Sequence, residues 1–112
     1  MLVDFWATWC APCIRELPAL QRFQRDYETR GWRVLALAVD SPAPVLEFIA
    51  RIKLELTVAM AGIGGMELLR SLGNTQGALP FSVAIDSAGR IRHRHLGETK
   101  YEELASWAST LQ

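Results

Sequence analysis

The handover from Leu2-Val3-Asp4-Phe5-Trp6 to the residues after Cys10 restricts this chain more than any other stretch. The first segment is apolar enough for a buried strand, while Ile14, Leu17, Leu20 and Phe23 recur at helical spacing. Both cysteines of the sequence lie in Trp9-Cys10-Ala11-Pro12-Cys13, where strand gives way to helix. The first turn of a helix leaves backbone N–H groups unpaired and carries the positive end of the dipole, so a thiol there ionises more readily. Cysteine pKa values in such settings fall to roughly 3.5–7.5, against about 8.5 for a free thiol. Cys10 is then the outer, reactive sulfur, and Cys13, one turn later, the more enclosed one. Two intervening residues bring the sulfurs within disulfide reach with little chain between them, which suits a bond that opens and closes.

Other readings of the pair remain open on residues alone. It can be a structural disulfide, or half of a metal site completed by the two histidines. His93-Arg94-His95, however, lacks the separation of about three to five residues usual for zinc.

One hundred and twelve residues suffice for one domain with a real core. Twelve Lys and Arg balance twelve Asp and Glu, so no electrostatic case exists for nucleic acid or an anionic membrane. The longest clean apolar run, Val34 to Val39, is far too short to span a bilayer. No secretory signal pattern opens the chain. A strand starting at Leu2 suggests a mature, trimmed or incomplete form, so the missing signal leaves the compartment open. One close cysteine pair fits redox catalysis in a reducing or an oxidising compartment.

After the first strand the pattern predicts a helix over Ala11 to Arg30, bent at Pro18, with Leu17, Leu20, Phe23 and Tyr27 inward and Arg22, Arg25, Asp26 and Thr29 wet. Gly31 ends it in a left-handed conformation. Arg33 to Val39 reads as a central strand, parallel to the first across the helical crossover. Ser41, Pro42 and Pro44 open a second helix with Val45, Phe48, Ile49 and Ile52 inward. Leu54 to Ala59 is a weaker strand, Met60 to Gly65 a glycine loop, and Met66 to Leu72 a short helix stopped by Gly73-Asn74. Phe81 to Ile85 and Ile91 to His95 form an antiparallel hairpin about Asp86-Ser87-Ala88-Gly89. Thr99 and Glu102 have capping-box spacing before a closing helix whose Leu104, Trp107, Ala108 and Leu111 share a face. The fold class is α/β, a mixed central sheet with helices on both faces.

Lesser features favour structural roles. His93 and His95 share a strand face that could suit copper but fits solvated edge histidines better. Arg90, Arg92 and Arg94 share the other face, where such a stripe discourages edge-to-edge association, although it could steer an acidic partner. Ile91 and Leu96 cannot both face inward on a regular strand, which calls for a bulge or an early end. Met60 and Met66 are expected in the core, with substrate contact the lesser alternative.

The stretch from Leu2 to Cys13, with Arg15-Glu16-Leu17-Pro18, Ala38-Val39-Asp40 and Leu79-Pro80 through Ile85-Asp86 to Gly89-Arg90-Ile91, resembles the TlpA/ResA-like thiol-disulfide oxidoreductases of the thioredoxin-fold superfamily. The resemblance spans nearly the whole chain. It departs from the family in lacking the usual N-terminal strands and anchor or signal, and in carrying Asp4 where many members have asparagine. The resemblance implies a thioredoxin-like three-layer sandwich, with residues 1–112 as one domain. It implies that Cys10 attacks a substrate disulfide and Cys13 resolves the mixed disulfide, no cofactor being needed beyond that redox-active pair.

Pro80 would be a cis-proline beside the active site, with Leu79 presenting backbone to substrate. Glu16 and Asp4 would be buried carboxyls managing the proton on Cys13, and Trp9 and Trp6 would shield the pair. Trp9 and Pro12 join Leu79 and Pro80 as substrate contacts. The expected activity is that of a reductant of protein disulfides, as in cytochrome c maturation, and the expected state a monomer. The setting implied is extracytoplasmic, with a possible membrane electron donor, and the cytoplasm is the alternative. A Cys/His metal-binding or copper metallochaperone module is the competing function, using Cys10, Cys13 and His93 or His95.

Overall fold

A computed structural model describes residues 1–62 and 64–111. The strands are β1 (Leu2–Trp6), β2 (Val34–Ala38), β3 (Thr57–Met60), β4 (Phe81–Ile85) and β5 (Ile91–Leu96). The helices are α1 (Ala11–Tyr27), α2 (Pro42–Ile52), α3 (Gly65–Ser71) and α4 (Tyr101–Thr110). The strands form one sheet in the order β3-β2-β1-β4-β5. β1 runs parallel to β2, and β2 to β3, while β4 is antiparallel to both β1 and β5.

Strand alternation decides which residues each helix covers. From β1, Leu2 and Trp6 join Val34, Ala36 and Ala38 of β2 in a core with Leu17, Leu20 and Phe23 of α1, Val45 and Phe48 of α2, and Leu104 and Ala108 of α4. Phe5 faces the other way, with Phe81 and Val83 of β4, and meets Leu69 of α3. Helices therefore cover both faces of a mixed sheet, as expected. Asp4, between Val3 and Phe5 in the alternation, falls on the α1 face.

Several boundaries differ from expectation. α1 ends at Tyr27, and Glu28–Arg30 tightens into a 3₁₀ turn that Gly31 closes at φ 89°. α1 is continuous through Pro18, which donates no bond to Ile14. Ser41 is the N-cap of α2 with Pro42 at its first position, yet the serine side chain makes no capping bond. β3 starts only at Thr57, because Lys53 leaves α2 in a left-handed conformation and Leu54 is still tied back to Ile49. The expected glycine loop includes Ile63, which lies outside the described residues.

Met60 is 40% exposed on the edge strand, so it is not a core residue, whereas Met66 is half-buried against the α3-side core. The β4–β5 register shifts between Ala84 and Ile85, so Arg92 is the extra residue. That bulge lets Ile91 pack inward while Leu96 stays 50% exposed.

The capping box before α4 is displaced by one residue. Lys100 is the N-cap, and its N–H donates to Glu103 Oε1 at 3.0 Å. Thr99 is buried instead and turned toward α1.

Candidate active site

β1 delivers the chain into a short turn in which the Cys10 N–H donates to the Ala7 carbonyl, and α1 then begins with Cys10 as its N-cap. The Cys13 backbone N–H donates to Cys10 Sγ at 3.3 Å. An N-cap side chain normally accepts through oxygen; here the acceptor is sulfur, so the helix aims one of its unpaired donors at the outer thiol. Cys10 and Cys13 are joined as a disulfide with their Cα atoms 5.3 Å apart. Cys10 retains 7% exposure and Cys13 none, so the outer sulfur is the one within reach of a substrate.

One turn beyond Cys13, Glu16 points into the same buried face and is 1% exposed. Its Oε2 accepts from the Thr99 N–H at 3.0 Å and from Thr99 Oγ1 at 2.9 Å. Beneath it lies Asp4, fully buried, whose Oδ1 accepts from Ser82 Oγ at 2.9 Å. Asp4 and Ser82 stand directly opposite in the β1–β4 register, so strand pairing itself makes that bond. Among the described residues Asp4 Oδ2 and Glu16 Oε1 are buried with no hydrogen-bond partner, and the two carboxyls are neighbours. Two buried carboxyls side by side disfavour ionisation of both at once. Burial, then the Glu16 carboxyl beside it, push the Asp4 carboxyl well above the usual range; the Ser82 hydroxyl opposes this.

Leu79-Pro80 is a cis peptide immediately before β4. Phe81 pairs with Phe5, so Pro80 lies at the end of the sheet where β1 releases the chain toward Cys10. The Gly97 N–H donates to the Pro80 carbonyl at 2.9 Å, and two residues later Thr99 holds Glu16. Residues 97–99 thus tie the proline loop to the first turns of α1. Arg15 adds an outer tie, its Nε donating to Glu98 Oε1 at 2.9 Å.

Trp6 is fully buried in the core that contains both cysteines. Trp9 is not a shield: it is 67% exposed, because the turn carries it outward before α1 begins. Pro12 is half-buried in the first turn of the helix. The metal reading loses its geometry. The cysteines are bonded to each other, and the histidines pack on Trp107 of α4, with ring centroids 4.5 Å away for His93 and 5.4 Å for His95. Among the described residues no three His, Cys, Asp or Glu side chains cluster as metal ligands.

The Redoxin family pattern matches residues 1–111. The chain belongs to the Redoxin family. This Redoxin-family chain is 30% identical over 108 residues to the thiol-disulfide oxidoreductase ResA of Bacillus thuringiensis (strain Al Hakam), covering 96% of itself and 60% of that relative. It therefore spans about three fifths of the length of the curated relatives it matches. Among solved structures it is similar to a thiol:disulfide interchange protein DsbE from Chlorobium tepidum, with a TM-score of 0.81, 29% identity, and coverage of 98% of this chain and 76% of that one. StoA from Bacillus subtilis shares the fold, with a TM-score of 0.78, 24% identity, and coverage of 96% and 80%. The thioredoxin-like architecture expected from the sequence is thus the one observed.

The structure brings Cys10, Cys13, Glu16, Asp4 and Pro80, all singled out from the sequence, to one end of the sheet, together with Thr99, which the sequence offered only as a cap, and Ser82, which it did not single out. Thr99 was hidden by its capping-box spacing. Ser82 was legible only once Asp4 and Ser82 were known to pair across strands.

Proposed function

We propose that this chain is a thiol-disulfide oxidoreductase that exchanges the Cys10–Cys13 disulfide with cysteines of protein substrates and works as a reductant. The observation that carries the reading is the Cys13 N–H aimed at Cys10 Sγ, a donor positioned to hold negative charge on that sulfur. In the reduced protein the Cys10 thiolate attacks one sulfur of a substrate disulfide. The substrate S–S bond breaks, a mixed disulfide forms, and the departing substrate thiolate takes a proton. Cys13 then loses its proton and attacks Cys10 Sγ, releasing the second substrate thiol and leaving the Cys10–Cys13 disulfide. Two electrons pass to the substrate, and an external dithiol donor resets the pair.

Glu16 lies one turn beyond Cys13 with the Asp4 carboxyl beside it, and the raised Asp4 pKa suits that carboxyl to exchange protons with the resolving thiol. Negative charge held there acts against thiolate at the pair, opposes the donor at the helix start and moves the couple toward the reducing side. Leu79, Pro80, Pro12 and exposed Trp9 form the surface that meets substrate. The names of the ResA and DsbE relatives support the same activity, and the TlpA/ResA-like resemblance of the sequence fits an extracytoplasmic setting with a membrane electron donor and apocytochrome c cysteines as partners. Among the described residues no helix is long and apolar enough to cross a membrane. The proposed working state is a monomer.

Cys10→Ser tests the assignment. It should lower the rate of insulin disulfide reduction by at least about a thousandfold, to background, while the far-ultraviolet dichroism is unchanged. Reduction at the wild-type rate would falsify the reading.

A further inference from the structure

A groove of about 300 Å³ opens beside the exposed face of Trp9, lined by Trp9, Val39, Asp40, Ser41, Gly62 and Met66. Its walls are mostly apolar, and the one charged side chain in the lining is the Asp40 carboxylate. That carboxylate is fixed. Asp40 Oδ2 accepts from the Thr8 N–H at 2.9 Å and from Thr8 Oγ1 at 2.6 Å, and Oδ1 accepts from the Ser41 N–H at 2.7 Å. Partial burial acts to raise the Asp40 pKa, but the bonds from Thr8 and Ser41 outweigh it and hold the group below the usual carboxylate range. Two carboxylate oxygens offer about four acceptor positions, and three are in use. One remains for an incoming donor.

We propose that this groove selects substrate polypeptides carrying a basic residue, arginine best, beside the reacting cysteine. The inference rests on the exchange activity proposed above and adds a specificity determinant to it. An arginine stem fits apolar walls, its guanidinium stacks on an indole, and its N–H groups suit the free carboxylate position. Trp9 directly precedes Cys10, so a side chain seated in the groove belongs to the part of a substrate lying next to the attacked sulfur. The Thr8 contacts give Asp40 a second effect, because they anchor the turn that carries Trp9 and Cys10.

The test uses two synthetic peptides, each with one cysteine in mixed disulfide with glutathione, flanked on both sides by arginine in one and by glutamate in the other. The reduced protein should react with the arginine peptide about three to ten times faster at low salt, and the ratio should shrink as salt is added. Asp40→Asn should bring the ratio close to one. Met66→Lys, which leaves the Thr8–Asp40 contacts in place and puts a cation into the groove wall, should lower or invert it. Equal rates for the two peptides with the wild-type protein, or an arginine preference that survives both substitutions, overturn the groove assignment while the exchange reading stands. Failure to react with either peptide or with glutathione disulfide overturns the exchange reading instead.

Discussion

Asp4 is fully buried beside the Glu16 carboxyl, and the Ser82 hydroxyl donates to its Oδ1. Its folded pKa is raised, so between the unfolded value and that raised value the native state keeps a proton that the unfolded chain has lost. Stability then falls as pH rises through that window. Asp4→Asn should therefore stabilise the protein by about 1–3 kcal/mol at pH 7, and the advantage should vanish as pH is lowered to the ordinary carboxyl range. Urea unfolding at both pH values checks this, and an advantage independent of pH would contradict the shifted carboxyl. The same substitution should slow substrate reduction, because the proton reservoir beneath Cys13 is halved. Thr99→Val removes one of two hydrogen bonds to Glu16 Oε2 and should cost about 1–3 kcal/mol. It should also move the pH profile of exchange, which a purely structural threonine would leave in place.

Among the elements, α1 was the most legible, because its inward stripe, its N-terminal cysteine and the terminating glycine all agree locally. The strap at residues 97–99 was the least. Its sequence offers a glycine and a threonine that suit helix capping equally well, and only the approach of α1 turns Thr99 inward. Gly97 sits at φ 112°, a conformation that side chains rarely adopt, and its N–H holds the Pro80 carbonyl. Gly97→Ala has open space around the new methyl group, so the backbone alone bears the cost. The expected loss is about 1–2 kcal/mol, with slower exchange because the proline loop and Glu16 share that strap. Thermal unfolding with a parallel insulin assay measures both. An unchanged midpoint would show that the left-handed geometry is dispensable.

For the whole molecule, the parallel β1–β2 pair, the β4–β5 hairpin and the helix-covered sheet followed from hydrophobic periodicity and the helical crossover, while the order of strands in the sheet and the site's inner contacts did not. Ser82 and Asp4 are 78 residues apart, and Thr99 and Glu16 are 83 apart. Such pairs exist only after β4 has docked against β1 and the final loop has closed over α1, and no local spacing announces them. What the assembled fold achieves is a sulfur with a narrow opening to solvent at a helix start, with a buried carboxyl pair behind its partner. The most direct test is the equilibrium between the Cys10–Cys13 pair and glutathione buffers of graded potential, read by the mass gained on alkylation. The pair should open and close reversibly, gaining two alkyl groups together, with a midpoint more negative than about −230 mV, in the range of cellular disulfide reductants. A disulfide that stays closed in every buffer and under a dithiol, or one whose midpoint lies near the about −120 mV of a strong oxidant, would contradict it.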